Sequence, residues 1–239
     1  MEKYDQAFFD AHRAGARSSA QAVLPQLREL VKPTTIQSVI DIGCGSGTWL
    51  SVWRELDVMD LRGVDGAYVE QATLDIPAGT FTAHDLNQPI ELDRTFDLAM
   101  SLEVAEHLKP ERAASFVADL CRLSPLVLFS AAIPHQGGTD HINEQWPAYW
   151  AEHFHNVGYV LIDCLRLQLW DDPRIDYWYQ QNLMLAVRHD RLAEYPLLQQ
   201  GHDRMAGRVA SLVHPQVLKR WVDWGMDQCN AYWQAVEKK

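Results

Sequence analysis

Cysteine is sparse in this chain. Cys44, Cys121, Cys164 and Cys229 are the only four in 239 residues, and they form no C-x-x-C pair. Reduced thiols are therefore expected. No apolar run approaches the roughly 18 residues that a membrane span requires. Met1 to Asp5 opens without the apolar core of a secretory leader, so we expect a cytoplasmic chain with no membrane partner. Positive charge is also short. Against 32 Asp and Glu stand 21 Lys and Arg, a formal net charge of −11. No run of Lys or Arg exceeds two residues. That field opposes polyanions, and a nucleic-acid partner is not expected. Internal repeats and low-complexity linkers are lacking as well. With 47% apolar residues the chain can bury a full core as one large domain.

What is present centres on Ser38-Val39-Ile40-Asp41-Ile42-Gly43-Cys44-Gly45-Ser46-Gly47-Thr48-Trp49-Leu50. A β-branched run meets an acid, three glycines follow at alternate positions, and Thr48 opens a helical apolar pattern. The order is strand, tight turn, helix. Glycine suits such a turn because the loop bends sharply and because a Cβ would hold the backbone N–H groups away from a ligand. Two ligand classes fail on spacing. A dinucleotide fingerprint needs G-x-G-x-x-G, but the sixth place is Thr48 counted from Gly43 and Leu50 counted from Gly45. A P-loop needs Lys after the last glycine, and Gly47 is followed by Thr48.

The run Asp41-x-Gly43-x-Gly45-x-Gly47 resembles motif I of the class I S-adenosylmethionine (SAM)-dependent methyltransferases. The resemblance covers about residues 35–190. It implies that Asp41, Gly43, Cys44, Gly45 and Gly47 hold the methionine end and ribose of SAM. Leu61 to Gly66 reads as the second strand, and a parallel βαβ unit puts Asp65 at its carboxyl end, 18 residues past Gly47. There a carboxylate can accept both ribose hydroxyls, with Gly66 beside it. After a third strand at Thr80 to Ala83, the resemblance implies that Asp85 meets the adenine amino group and Leu86 lies beside the ring.

Phe96 to Leu102 is a nearly continuous apolar run, as a central parallel strand should be. It leads into Glu103-Val104-Ala105-Glu106-His107. Leu102 and Glu103 fall at the point where strand order reverses, so Glu103 is both a cofactor-binding and a catalytic candidate. If this segment is helical, Glu103, Glu106 and His107 share one face, a spacing that suits a divalent cation. The pattern is similar to one in ubiquinone-pathway O-methyltransferases and small-RNA 2′-O-methyltransferases, where it can ligate a metal. We assign these residues to cofactor, pocket and packing roles instead, with no metal ligand and with His107 at the acceptor.

A helix starts at Pro110 and Glu111, and Leu126 to Ser130 is the fifth strand. Residues 131–146 then form a loop dense in titratable groups at a strand's carboxyl end, where chemistry is expected. His135 and His141 are candidate general bases, since imidazole has a reference pKa of about 6.5. Asn143 and Trp146 are candidate acceptor contacts, and the loop's wording resembles bacterial methyltransferases of carbohydrate and secondary-metabolite clusters. Pro147 to Val157 reads as a helix with Trp150 and Phe154 in the core. Gly158 to Leu165 and Asn182 to Arg188 are the last strands, and between them Tyr177, Trp178 and Tyr179 are candidate pocket walls.

The expected fold is α/β, a Rossmann-like three-layer sandwich whose seven-stranded sheet is mostly parallel with an antiparallel last strand. Residues 1–190 form the methyltransferase domain, with a helical lid over 1–34 that includes an aromatic group at Tyr4, Phe8 and Phe9. Residues 191–239 form a helical extension broken at Pro196 and Pro215, and its Trp221, Trp224 and Trp233 either complete the pocket or form an interface such as a homodimer. The expected activity is methyl transfer from SAM to a small-molecule hydroxyl, with N-methylation or a non-catalytic SAM-binding module as alternatives.

Overall fold

Val39 and Ile40 are wholly buried, yet they belong to different apolar layers, because successive side chains of a strand point to opposite faces of its sheet. The computed structural model describes residues 6–237, with side-chain surroundings given for 12–229. Tyr4 and the side chains of Phe8, Phe9 and Trp233 lie outside these described residues. Seven strands make one sheet: β1 (Ser38–Ile42), β2 (Asp60–Asp65), β3 (Phe81–Ala83), β4 (Leu98–Leu102), β5 (Leu126–Ser130), β6 (Tyr159–Ile162) and β7 (Met184–Arg188). Their order is β3-β2-β1-β4-β5-β7-β6. The first five run parallel, and β7 is antiparallel to both β5 and β6.

Both faces are covered. One layer holds α1 (Gln6–Leu30) and α2 (Thr48–Glu55), with Val23, Leu24, Leu27 and Trp53 packed on Val39, Leu98 and Leu128. The other holds α3 (Ala113–Leu123) and α4 (Pro147–Asn156), with Phe116, Trp150 and Phe154 packed on Ile40, Val127 and Phe129. Truncating a ring such as Phe154 to Ala would cost about 3–5 kcal/mol. Two short helices, α5 (Arg166–Leu169) and α6 (Tyr177–Asn182), fill the β6–β7 connection, and α7 (Pro196–Arg204) and α8 (Pro215–Glu237) follow the sheet.

Residues 6–30 are one helix with Pro25 inside it, within the helical lead expected there. Several other boundaries differ from expectation for local reasons. Asn182 ends α6 and does not begin β7. Pro196 and Pro215 sit at the first positions of α7 and α8, where a missing N–H costs nothing, so they start helices. The segment after β4 is not a helix. Glu103 takes a left-handed φ of 55°, and only Ala105–His107 forms a single 3-10 turn. Glu103 therefore does not share a helical face with Glu106 and His107.

The carboxyl ends of β1, β2, β4 and β5 meet at one edge of the sheet. Connections from β1 and β4 leave in opposite directions, which opens a crevice between them.

Candidate functional site

A cavity of about 990 Å³ occupies that crevice. At its β1–β2 end the glycine turn is shaped by its own backbone. Gly43 has φ 86°, and a Cβ there would lie 2.3 Å from Val104 Cγ2, so no other residue fits without strain. The Gly43 N–H donates to the Val64 carbonyl at 2.8 Å. The Gly45 N–H donates to Asp65 Oδ2 at 2.6 Å, while Asp65 Oδ1 accepts the Gly66 N–H at 2.6 Å and the Tyr68 hydroxyl at 2.5 Å. Asp75 straps the turn from outside. It accepts from Thr48 Oγ1 at 2.8 Å and from Arg13 Nη1 at 2.9 Å, and its N–H donates to the Ser46 carbonyl at 2.8 Å.

Electrostatics here follow from burial. Desolvation pushes the Asp41 carboxyl up to about 8, with the neighbouring Asp65 carboxylate adding to the shift. Burial also raises Asp65, opposed by its hydrogen bonds from Tyr68, Gly45 and Gly66. Asp41 is thus held as a neutral acid near pH 7, able to donate a proton to a hydrogen bond.

At the β4–β5 end the cavity is built from side chains. Glu103 closes β4, its N–H bonded to the Ser130 carbonyl at 3.0 Å. Its carboxylate accepts from Gln136 Nε2 at 2.9 Å and from Asn182 Nδ2 at 3.0 Å. Gln181 Nε2 donates to Gln136 Oε1 at 2.8 Å, and Gln181 Oε1 accepts the His214 N–H at 2.7 Å. These amides are buried, and so linked they fix the carboxylate's direction. Burial raises Glu103, and the Asn182 and Gln136 amides oppose it.

Loop 131–146 is gathered on one carboxylate. Glu144 accepts the His135 N–H at 2.6 Å, the Gly137 N–H at 2.9 Å and His141 Nδ1 at 2.8 Å. With the proton on Nδ1, His141 keeps Nε2 as an acceptor. Gly138 makes room for that ring, since a Cβ there would meet His141 Nε2 at 2.2 Å. The His107 ring packs edge-on to His141 at 4.7 Å. Burial lowers His107 to about 4, with His141 contributing, so it is neutral near pH 7. Glu106 is fully buried and neither carboxyl oxygen has a hydrogen-bond partner. Desolvation first, then Glu103, raise it well above the usual carboxylate range, and the nearby Glu106 and Ala132 amides oppose this only in part. Ligand atoms of Glu106, His107 and His141 lie within 4.8 Å of one another, and this trio, without Glu103, is the set that could hold a divalent cation.

Of the residues singled out from sequence, Asp41, Gly43, Cys44, Gly45, Asp65, Gly66, Asp85, Leu86, Leu102 and Glu103 line the cavity, and Gly47 does not, although its neighbours Ser46 and Thr48 do. So do His107, His141, Tyr177 and Tyr179. Gly47 itself caps α2 at φ 80°. Three others lie off the cavity wall. His135 is exposed and packs on Trp221. Asn143 is buried, with its N–H on the Glu106 carbonyl at 2.9 Å. Trp146 is 38% exposed ahead of α4. Sequence reasoning missed Asp75, Gln136, Gln181, Asn182, the anchoring role of Glu144, and Arg220 from α8. Only Glu144, three residues from His141, carried a local signal.

Fold and site together make an α/β protein with a ligand-sized cavity at the carboxyl ends of its parallel strands. Residues 9–195 match the family model described as a methyltransferase domain, and the chain belongs to that family. No curated protein gives a significant match. Solved structures with a similar fold include a SAM-bound amino pentose methyltransferase of calicheamicin biosynthesis from Micromonospora echinaspora, at 16% identity and TM-score 0.57, covering 79% of this chain and 99% of that one. DesVI from Streptomyces venezuelae is similar at 14% identity and TM-score 0.56, covering 76% and 95%. Magnesium protoporphyrin IX methyltransferase from Synechocystis PCC 6803, with S-adenosylhomocysteine bound, is similar at 19% identity and TM-score 0.51, covering 73% and 84%.

Proposed function

We propose that this enzyme moves a methyl group from SAM to a hydroxyl of a small-molecule acceptor, a sugar or secondary metabolite, and that His141 takes the proton. In this reading Asp41 and the Gly43–Gly47 backbone hold the methionine end, Asp65 and Gly66 the ribose, and Asp85 and Leu86 the adenine. Bound SAM supplies a methyl group already activated on a sulfonium. The protein's remaining tasks are to align the acceptor and remove its proton. Helix α1 acts as a lid, supported by His12, Arg13 and Ala16 on the cavity wall. No helix among the described residues is long and apolar enough to cross a membrane. We place the enzyme in the cytoplasm, and the exposed Leu218, Val222 and Trp224 of α8 offer a surface for a homodimer.

The observation that carries the base assignment is the 2.8 Å contact of His141 Nδ1 with Glu144 in a ring that lines the cavity. His135 lacks such a position. Positioned base catalysis contributes about 10²–10⁴-fold. His141→Ala should lower kcat by about that factor while SAM affinity, read by calorimetry, stays within about twofold. A loss confined to SAM or acceptor binding would instead make His141 a loop anchor.

A second reading rests on Glu106. A divalent cation on Glu106, His107 and His141 would satisfy its two unpartnered oxygens, and would polarise the acceptor oxygen. Full activity in chelator supports the histidine base. Loss restored by Mg²⁺ or Mn²⁺ supports the cation. The amino pentose methyltransferase among the neighbours keeps N-methylation as the runner-up in acceptor chemistry.

A further inference from the structure

Six carboxyl groups line the cavity, Asp41, Asp65, Asp85, Glu103, Glu106 and Asp140, beside two guanidiniums, Arg13 and Arg220. Arg13 is committed to the strap, with Nη1 on Asp75 at 2.9 Å and Nη2 on the Thr73 carbonyl at 3.0 Å. Arg220 is held differently. Its guanidinium lies 5.3 Å from the Tyr177 ring centroid and donates one N–H to the Tyr177 hydroxyl at 2.7 Å. Among the described residues it makes no ion pair, and only one of its five N–H donors is used. Stacking and a hydroxyl fix a guanidinium's direction without neutralising it. An arginine placed in an acid-lined cavity but kept off the acids retains its charge and its planar fork for a ligand.

The arginine's side of the cavity is also defined. The α8 helix that carries it is pinned to loop 131–146 by Trp221 Nε1 on the His135 carbonyl at 2.5 Å. Its start is pinned to the amide network by the His214 N–H on Gln181, and Val217 is fully buried beneath. Tyr177 belongs to α6, on the same end. Arg220 therefore stands over the β4–β5 end, across from the glycine turn. We propose, building on the methyl-transfer reading, that Arg220 binds a compact oxyanion, a carboxylate or phosphate, carried by the acceptor. Planar bidentate pairing with such groups is what a guanidinium favours. Glu103, at the end of β4 and held by buried amides, repels the same anion, so the acidic end of the acceptor stays at the mouth and its hydroxyl end points inward.

The test uses full-length protein saturated with S-adenosylhomocysteine and three probes at equal ionic strength: glucuronate, glucose 1-phosphate and glucose. Thermal shift and calorimetry should show binding of at least one oxyanion and no response to glucose, and the tighter oxyanion names the group. Arg220→Ala and Arg220→Gln should weaken that binding at least tenfold, with Arg220→Lys intermediate, while S-adenosylhomocysteine affinity stays within about twofold. No oxyanion response, or one unchanged in Arg220→Ala, overturns the proposal. A tenfold loss of S-adenosylhomocysteine affinity in Arg220→Ala also overturns it, because it puts the guanidinium on the cofactor's own carboxylate. Wild-type protein that binds no S-adenosylhomocysteine overturns the methyl-transfer reading first, and the proposal with it.

Discussion

The two ends of the cavity are made by different means. At the β1–β2 end, the backbone of residues 43–47 and two acids at strand ends do most of the work, within 25 residues of chain. At the β4–β5 end, Glu103, Gln136, Gln181 and Asn182 come from three separate segments and meet through their side chains, with the His214 backbone N–H joined to Gln181 and Arg220 reaching the cavity from α8. A backbone cradle tolerates little change, because φ and close approach admit glycine alone. A side-chain wall can be rebuilt residue by residue while the fold stands. The first end suits a ligand that does not vary, and the second suits one that does.

The largest effect that would sharpen this contrast is at Asp65. It gathers the Gly45 and Gly66 N–H groups and is the proposed ribose acceptor. Asp65→Ala should weaken SAM binding by about 1.5–3 kcal/mol, roughly 10–150-fold. Unchanged affinity by calorimetry would remove Asp65 from the ribose and break the account of this end.

A smaller effect is expected at Asn182, whose amide reaches Glu103 across 79 residues of chain. Asn182→Leu should lower kcat about tenfold, comparable to losing hydrogen bonds to a charged group. SAM affinity should change less than twofold. If it falls as far as kcat, the two ends are not separable.

The smallest effect concerns Asp41. Its folded value near 8 exceeds the ordinary 3.8, so the folded chain holds a proton that the unfolded chain releases. The contribution of Asp41 to the stability of the ligand-free protein is then fully present at low pH and declines as pH rises toward 8, in the same direction as the raised Asp65, Glu103 and Glu106 carboxyls. His107, lowered from 6.5 to about 4, acts oppositely and only below pH 6.5. The informative window is pH 6.5–8. There the wild-type melting temperature should drop by several degrees, at about 2–4 °C per kcal/mol for a chain of this size. Asp41→Asn should flatten the slope, and an equal slope in both proteins would refute a protonated Asp41.

Legibility from sequence followed the same divide. Apolar runs located β1, β4, β5, β6 and β7, because strands buried on both faces need unbroken Val, Ile and Leu, whereas β2 was placed by its spacing from the glycine turn and β3, with only Phe81 buried, gave a weak signal. The glycine spacing located the turn, since its constraint is local. The segment after β4 misled, because Glu-x-x-Glu-His has helical spacing while the chain turns at Glu103 with φ 55°. Packing against Ser130 and Asn182 decides that turn, and neither is near in sequence. His135 and His141 could not be ranked from sequence, whereas Glu144 ranks them in space by orienting the ring of one and the backbone of the other. Gln136, Gln181 and Asn182 gave no periodic signal, being single amides that matter only in contact. Arg220 lay in a tail with no motif at all.

The central claim is that His141, oriented by Glu144, accepts the acceptor's proton at one end of the cavity while the other end holds the cofactor independently. Its most direct test is a pH–rate profile of wild type and His141→Ala under saturating SAM, with SAM affinity measured at each pH. Wild type should lose rate toward acid pH as the base protonates, and the variant should be slower by about 10²–10⁴-fold and lack that acidic limb, with SAM affinity nearly the same in both proteins. A variant that keeps the acidic limb and turns over within a few-fold of wild type would contradict the claim.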